Sequence, residues 1–221
     1  FMGVIRISDI CLKIKQKLLF SGDMTLYPGT VTVLYGEVGS GKSTFVKNLM
    51  KLKQMKCEKD GINVKKNYKW LFNCGYVCQD IEGYNRLTMA EFENLFLKNA
   101  RYTFADMHLQ FVKDKKIKNC SKGEKQRLCI LRALAKNPEL LLLDEPFSFL
   151  DIKTRRTVLN ILKDYTTYSG CSTLIISHYI LDLDDVSQIY QVNDCKLISK
   201  KEYEGPIETF KLTKSKKNHP F

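Results

Sequence analysis

Val31-Thr32-Val33-Leu34-Tyr35 runs directly into Gly36-Glu37-Val38-Gly39-Ser40-Gly41-Lys42-Ser43-Thr44, and this stretch decides the fold. Its first five residues are apolar or β-branched, which is typical of a buried strand. A strand, a glycine-rich loop and a helix in direct succession predict half of a βαβ unit. The helix is indicated by apolar residues that recur at helical spacing after the loop: Phe45, Val46, Leu49 and Met50.

The same alternation recurs along the chain. Leu140 to Leu143 and Thr173 to Ile176 are short apolar runs that predict buried strands, and Thr154 to Tyr165 has the apolar spacing of a helix. Strands that alternate with helices imply an α/β fold with a mostly parallel sheet flanked by helices. Before the loop, Val4 to Ile7 and Ile10 to Ile14 predict two short strands.

The region between Gln79 and Ser121 differs in character from the rest. Residues with β-branched side chains thin out there, and Thr88 to Lys98 and Tyr102 to Val112 have the pattern of two amphipathic helices. We therefore expect a small helical lobe inserted into the α/β fold.

The composition is that of one globular domain. Of the 221 residues, 44% are hydrophobic and 27% are charged, which excludes the disordered and fibrous classes. The formal charge of +12 comes from 36 Lys and Arg against 24 Asp and Glu. The lysines are spread along the chain and no nucleic-acid-binding signature accompanies them. We expect solvated basic faces, a disordered basic tail over 211–221 and no nucleic-acid partner.

Two further features concern the cellular compartment. No run approaches the roughly eighteen apolar residues of a membrane span, and the first residues lack the regions of a signal peptide, so we expect a cytoplasmic protein. The eight cysteines are scattered, and we expect reduced, packed thiols, with Cys120 and Cys129 in helical segments. Cys74 and Cys78 have no second Cys or His pair, so a zinc site is not expected.

The glycine-rich loop matches the P-loop pattern of glycine, four residues, glycine, lysine, then serine or threonine. Its backbone N–H groups can turn inward around the phosphates of a nucleotide, and the following helix directs its positive end at the same charge. We expect Lys42 to pair with phosphate oxygens and Ser43 to offer its hydroxyl to Mg²⁺. The predicted nucleotide-binding residues here are Gly36, Glu37, Val38, Gly39, Ser40, Gly41, Lys42, Ser43 and Thr44.

Hydrolysis of a nucleotide also needs a carboxylate for the metal and a group that activates water. The apolar strand Leu140 to Leu143 leads into Asp144 and Glu145, at the strand end where α/β sheets bind ligands. Alone, these two acids are equally consistent with a strand end followed by a helix cap. Together with the P-loop they favour catalysis, with Asp144 holding Mg²⁺ through water and Glu145 as the general base.

Further segments follow in a recognisable order. They are Gln79 after the strand-like Gly75-Tyr76-Val77-Cys78, then Cys120-Ser121-Lys122-Gly123-Glu124-Lys125-Gln126-Arg127, Ser148-Phe149-Leu150-Asp151 and Ile176-Ser177-His178. With the P-loop and the two acids, they make the chain from Val4 to about Gly205 resemble the ABC ATPase family. The resemblance implies a P-loop NTPase fold with an N-terminal antiparallel β subdomain. It also implies a single domain over 1–210, with a RecA-like core at about 1–79 and 124–210 and a helical lobe at about 80–123.

The resemblance implies roles for these segments as well. Gln79 would contact Mg²⁺ or the lytic water, and His178 would contact the γ-phosphate and position water. Ser121 and Gly123 would contact ATP across a head-to-tail dimer, homo or hetero, in which two ATP molecules are sandwiched. Asp151 is counted among the nucleotide-binding residues on the same basis.

Two departures from the family pattern stand out. In the signature segment, Cys120, Lys122 and Glu124 replace the usual Leu, Gly and Gln, and a lysine facing a phosphate would be attractive. The aromatic residue that the family stacks on adenine has no counterpart in the expected region, 12–17. Phe20 and Tyr27 are the nearest aromatics, and both sit closer to the loop than expected.

The resemblance implies an ATP-hydrolysing subunit of an ABC transporter, with ATP and Mg²⁺ as cofactors, that powers a separate membrane-spanning permease from the inner face of the cell membrane. The predicted lobe contains five aromatic residues: Tyr84, Phe92, Phe96, Tyr102 and Phe104. One interpretation is that they form a docking surface for the permease, although aromatic residues at such spacing more often belong to a core. One alternative is a non-transport ABC ATPase acting on nucleic acid or ribosomes. Another is a nucleotide-binding regulatory module with weak turnover, which intact Glu145 and His178 oppose.

Overall fold

A mixed sheet forms the centre of the molecule. The computed structural model describes residues 3–51, 55–59, 62–63, 73–78, 84–178 and 186–204. Its strands are β1 (Ile5–Ile14), β2 (Lys17–Leu26), β3 (Val31–Gly36), β4 (Lys56–Lys59), β5 (Ile62–Asn63), β6 (Cys74–Val77), β7 (Leu140–Asp144), β8 (Ser172–Ser177), β9 (Gln188–Asn193) and β10 (Lys196–Lys201). They are ordered β5-β4-β1-β2-β10-β9-β3-β8-β7-β6.

The sheet has a parallel half and a largely antiparallel half. The strands β6, β7, β8, β3 and β9 pair in parallel with one another, in that order. At the other end, β1 pairs antiparallel with β2 and with β4, and β9 pairs antiparallel with β10. A single parallel pair, Lys196 with Ser21, joins the two halves between β10 and β2. The predicted α/β fold with an N-terminal antiparallel β part is confirmed.

β1 is one strand where the sequence predicted two. Its register against β2 shifts between Ile7 and Ile10, and Asp9 in the gap has a φ of 53°. The Asp9 N–H donates to the carboxylate of Asp23 on β2 at 2.9 Å, so the bulge has a partner for its free amide. The apolar pattern of the strand is interrupted at this bulge. The sequence therefore predicted two strands with a gap between them.

The described residues form four α-helices, and three of them begin with a side-chain cap. The helices are α1 (Lys42–Met50), α2 (Met89–Phe96), α3 (Lys122–Ala135) and α4 (Ile152–Ser169). Thr88 and Ser121 each complete a capping box with a glutamate three residues later, and Asp151 accepts from the Thr154 N–H at 3.0 Å. In contrast, the cap position before α1 is Gly41, and no side chain caps this helix.

The predicted helix over Tyr102 to Val112 is wrong. This segment forms turns and a short 3₁₀ helix at Gln110–Val112. Asp106 accepts from both the N–H and the hydroxyl of Thr103, which favours a tight turn, and His108 has a φ of 53°. These local hydrogen bonds compete with the backbone hydrogen bonds of a helix. The segment therefore turns, although its apolar residues recur at helical spacing.

Cys120 is not helical either, which corrects a second expectation. It follows the 3₁₀ helix Ile117–Asn119 and is extended, and so is the next residue, Ser121, which caps α3. Cys129 lies within α3 as expected, and all eight cysteines are free thiols. The predicted basic tail over 211–221 lies outside the described residues.

Hydrophobic clusters cover both faces of the parallel strands. On β7, Leu141 and Leu143 belong to the cluster shared with α3, α4 and the segment 84–121. Leu140 and Leu142 belong to the opposite cluster, shared with α1, β1 and β2. Successive side chains of a strand point to opposite faces, so burial on both sides explains the unbroken leucine run. Within the described part of the chain, no helix has the length and apolar character needed to cross a bilayer.

Candidate active site

Three adjacent parallel strands end at the same place. β3 pairs with β8, and β8 pairs with β7, all in parallel. The P-loop follows β3, His178 follows β8, and Glu145 follows β7. Because parallel neighbours share one carboxyl edge of the sheet, segments far apart in the sequence meet there. The residues predicted from three separate motifs are therefore brought together.

The P-loop leaves the first amides of α1 without a side-chain partner. Gly39 and Gly41 have φ values of 83° and 100°, which residues with a side chain rarely adopt. A Cβ on Gly41 would lie 2.7 Å from Leu19 Cδ1, so a side chain at this position would also clash with β2. An uncapped helix start with a positive dipole end suits a phosphate group.

Lys42 is held by the loop itself. Its ammonium donates to the carbonyls of Gly36 and Glu37 at 2.7 and 2.8 Å and to Ser40 Oγ at 3.3 Å. The side chain is 5% exposed. Burial lowers the pKa of Lys42, whereas the nearby carboxylates favour its charged form and oppose that effect. The ammonium is thus already inside the loop that would surround a phosphate.

Ser43 and Asp144 form a pair of oxygen groups beside Lys42. The Ser43 hydroxyl donates to Asp144 Oδ1 at 2.9 Å. Burial raises the pKa of Asp144, the bond from Ser43 opposes the rise, and the neighbouring Glu145 adds to it. A hydroxyl and a carboxylate in contact at a phosphate site are the hard oxygen ligands that Mg²⁺ prefers, so these residues fit the predicted metal.

Glu145 is held in a strained backbone conformation. Its φ is 53°, which costs free energy for a residue with a side chain, and its N–H donates to Ile176 O on β8 at 3.0 Å. Its carboxylate lies 2.7 Å from His178 Nδ1 through Oε1, and Ser148 Oγ donates to Oε2 at 3.3 Å. The sequence indicates Ser148 only as part of a segment that resembles the family, and no local pattern predicts its contact with Glu145.

A cavity of about 370 Å³ opens between these groups. Its polar lining combines the start of α1 with Glu145 and His178. Val38 at the tip of the loop also borders it and is 84% exposed. The cavity can accept a phosphate chain at Lys42 and Ser43 and bring it to a carboxylate able to take a proton.

The signature segment lies elsewhere. Ser121 caps α3, and a Cβ on Gly123 would lie 2.7 Å from Phe149 O. The Lys122 ammonium lies 4.9 Å from the centre of the Phe149 ring. Asp151 caps α4, and none of these residues borders the cavity. Gln79 lies outside the described residues.

The two aromatics nearest the loop do not border the cavity. Phe20 is fully buried against Phe45, with ring centres 5.7 Å apart. Tyr27 packs on Tyr203 with ring centres 4.9 Å apart. The cavity wall near the hairpin of β1 and β2 is instead formed by Ile14 and Leu19. Ile14 lies in the region 12–17, where the family pattern predicts an aromatic residue.

The aromatics of the segment 84–121 divide between core and surface. Phe92, Tyr102 and Phe104 are buried, in agreement with a core role. Phe96 is 36% exposed and contacts both Tyr84 and Phe92. Of the five candidates for a docking surface, Phe96 is the most exposed.

The chain is similar in sequence and in fold to known proteins. The sequence profile of a family described as "ABC transporter" matches residues 19–148. The zinc import ATP-binding protein ZnuC of Vibrio cholerae is 30% identical over 191 residues, which cover 79% of this chain and 67% of that protein. A solved ATP binding subunit of an ABC transporter has a TM-score of 0.75 at 18% identity, with 88% of each chain covered. A dimeric, post-hydrolysis ATP-binding cassette bound to ADP and Pi has a TM-score of 0.72 at 21% identity, covering 89% of this chain and 98% of that one.

The profile spans more than half of the chain and includes the P-loop and both acids at the end of β7. The two solved structures support the fold, and the profile and the relative support the family. This chain therefore belongs to the ABC transporter family, as an ATP-binding subunit.

Proposed function

We propose that this chain hydrolyses ATP and uses the reaction to power a separate membrane permease. One observation carries the proposal. Lys42, Ser43 and the Glu145–His178 pair line one cavity at the ends of three adjacent parallel strands, and Ser43 donates to Asp144 beside it. Such a constellation joins phosphate binding to proton transfer.

In this mechanism, the amides at the start of α1 and the Lys42 ammonium bind the β- and γ-phosphates. Glu145 takes a proton from water as the water oxygen bonds to the γ-phosphorus. The bond from that phosphorus to the β,γ-bridging oxygen breaks, and ADP and phosphate leave. His178, 2.7 Å from Glu145, orients the carboxylate and faces the same cavity.

Mg²⁺ would be held by Ser43 directly and by Asp144, with Gln79 as a further ligand. When bound it would neutralise charge on the phosphate oxygens. The contact between Ser43 and Asp144 supports this assignment because both oxygens are already beside the phosphate-binding loop.

A head-to-tail dimer would complete the site. Ser121, Gly123 and Asp151 do not border the cavity of their own chain, so a second subunit must supply them if they contact ATP. Closure of the dimer would then depend on the γ-phosphate, and hydrolysis of ATP would allow the dimer to open. The dimeric form of the solved cassette bound to ADP and Pi supports this arrangement by analogy.

The permease would sit against a helical lobe of about 80–123, with the chain on the inner face of the membrane. The name of the Vibrio cholerae relative, a zinc import protein, supports import as the direction. We propose that the permease selects the transported substance.

The decisive experiment replaces the proposed base. Glu145→Gln should bind Mg-ATP, form a stable dimer on a sizing column, and lower phosphate release at least about 100-fold, since a positioned general base contributes that much. Glu202→Gln is the matched control, because Glu202 is exposed and does not border the cavity. Phosphate release by Glu145→Gln within tenfold of wild type would exclude Glu145 as the base.

A second variant tests the phosphate site. Lys42→Ala should abolish the rise in melting temperature that ATP produces, because the buried ammonium that faces the phosphates is lost. Unchanged stabilisation by ATP would show that the nucleotide binds elsewhere on the chain.

A further inference from the structure

Lys122 contacts an aromatic ring of its own chain. It is the first residue of α3, and its ammonium lies 4.9 Å from the centre of the Phe149 ring. A cation at this distance over a ring is attracted by the negative face of the ring. Among the described residues, no carboxylate forms an ion pair with Lys122. Phe149 is therefore the partner of this charge within the described part of the chain.

The start of α3 is an unfavourable place for a lysine. The amides of the first turn give this end of a helix a partial positive charge, which repels a cation. Ser121 and Glu124 already satisfy two of these amides through the capping box, so Lys122 is not needed to begin the helix. The contribution of Lys122 must therefore come from the contact that its side chain makes.

Phe149 belongs to the turn segment, defined as residues 146–150, which lies between β7 and α4. Its ring is 38% exposed. The other apolar residues of the turn segment are buried: Pro146, Phe147 and Leu150. Burial of apolar surface thus fixes both ends of the turn segment but holds the Phe149 ring less firmly. The ammonium over the ring supplies a further restraint at this point.

The turn segment also contacts the proposed base. Ser148, the residue before Phe149, donates from Oγ to Glu145 Oε2 at 3.3 Å. This hydrogen bond is longer than is usual between two oxygen atoms, so a small movement of the turn segment would break it. On the other side, Gly123 lies so close to the turn segment that a Cβ there would be 2.7 Å from Phe149 O. The start of α3 and the Glu145 carboxylate are therefore joined through two consecutive residues.

We propose that Lys122 is a positioning residue for ATP hydrolysis and acts through Phe149. Its contact with the ring keeps Ser148 in place to donate to the Glu145 carboxylate. This inference rests on the proposed function, in which Glu145 is the base. The charge of Lys122 is used within its own chain and is not the phosphate contact that its place in the signature segment suggests. Loss of the charge should consequently lower the rate of hydrolysis and leave the affinity for ATP unchanged.

The test measures steady-state phosphate release from Mg-ATP by the full chain carrying Lys122→Gln. The kcat should fall about three- to fivefold, the factor that corresponds to an exposed cation–π contact, while KM stays within about twofold. Glutamine has a helix propensity similar to that of lysine and removes a charge that opposes the start of α3, so a weaker helix cannot explain the loss.

A conservative variant and a control accompany Lys122→Gln. Lys122→Arg should keep kcat within about twofold of wild type, because a guanidinium also stacks on an aromatic ring. Lys118→Gln is the matched control and should leave kcat unchanged. Lys118 is exposed and belongs to the same stretch of sequence, but it is not the lysine that lies over Phe149.

The second part of the test removes the ring. Phe149→Leu should lower kcat by the same factor as Lys122→Gln, and the double variant should be no slower than either single variant, because all three lack the same contact. Phe149→Tyr should keep the wild-type rate, since tyrosine also offers a ring face to the ammonium.

An unchanged kcat in Lys122→Gln would overturn the inference, and so would losses that add in the double variant. A several-fold rise in KM with an unchanged kcat would also overturn it, because that result would place the lysine on the phosphates of ATP. If the wild-type chain itself releases no phosphate from Mg-ATP, the proposed function fails and the inference fails with it. That result is distinct from wild-type turnover that does not depend on Lys122.

Discussion

Gly123→Ala tests how tightly the start of α3 is packed against the segment after Glu145. A Cβ at this position would lie 2.7 Å from the backbone oxygen of Phe149 and 3.3 Å from Leu150 Cδ2. A carbon and a carbonyl oxygen need about 3.3 Å, so the first contact must open by about 0.6 Å. The segment resists this movement because Leu150 O accepts from Arg155 Nε at 2.8 Å.

Two opposing effects set the size of the change. Gly→Ala inside a helix gains at most about 1 kcal/mol, and less near the first turn. Overpacking against a backbone atom costs about 1–3 kcal/mol. The clash dominates because its partner is backbone and not the end of a flexible side chain, and we expect a net loss of about 1–2 kcal/mol in the free energy of unfolding.

Urea unfolding at pH 7 measures this loss, and the melting temperature should fall by about 2–8 °C for a chain of this length. Asn160→Ala on the exposed side of α4 is the control and should be neutral or slightly stabilising. A Gly123→Ala protein as stable as wild type would refute the close packing of these two segments. Phosphate release should fall as well, because Ser148 in the displaced segment contacts Glu145.

Two further predictions concern helix caps. Burial alone would raise the pKa of Glu124, but the Ser121 N–H and Lys115 outweigh it and the pKa is lowered. This stabilisation is present above the unfolded pKa of about 4.3 and is lost as pH falls through the folded pKa. Glu124→Gln should therefore lower the urea midpoint at pH 7 but progressively less below about pH 4.3, and a pH-independent difference would contradict this. Asp151→Ala should lower the urea midpoint by removing the cap on Thr154, whereas Asp151→Asn should retain most of the stability; equal losses in the two variants would exclude a capping role.

The local sequence pattern was sufficient to predict an element where one physical requirement determined its residues. β3, β7 and β8 are buried on both faces, so their apolar runs predicted them directly. The apolar spacing also predicted the helix that begins after Thr88, where the structure has α2. The P-loop was predicted because a phosphate cradle needs glycines and a lysine at fixed spacing.

Elements that depend on distant partners were harder to predict. β9 and β10 were not predicted, and β9 obtains its pairing from β3, which lies far earlier in the chain. The segment from Tyr102 to Val112 has helical spacing, yet the bonds from Thr103 to Asp106 make it turn. In such segments, side-chain hydrogen bonds and long-range strand pairing outweigh the local secondary-structure propensity.

The sequence by itself determined the chemistry of the nucleotide site. A loop with glycines, Lys42 and Ser43 and two acids after a leucine run can be recognised because each local segment carries its own function. The tertiary structure alone decided which residues touch. It placed His178 on the Glu145 carboxylate and Ser43 on the Asp144 carboxylate, and it set Ile14 at the cavity, in the region where the family pattern predicted an aromatic residue. The physical reason is that the order of the parallel strands brings together segments that are about 30 to 100 residues apart in the sequence, and no local pattern encodes that order.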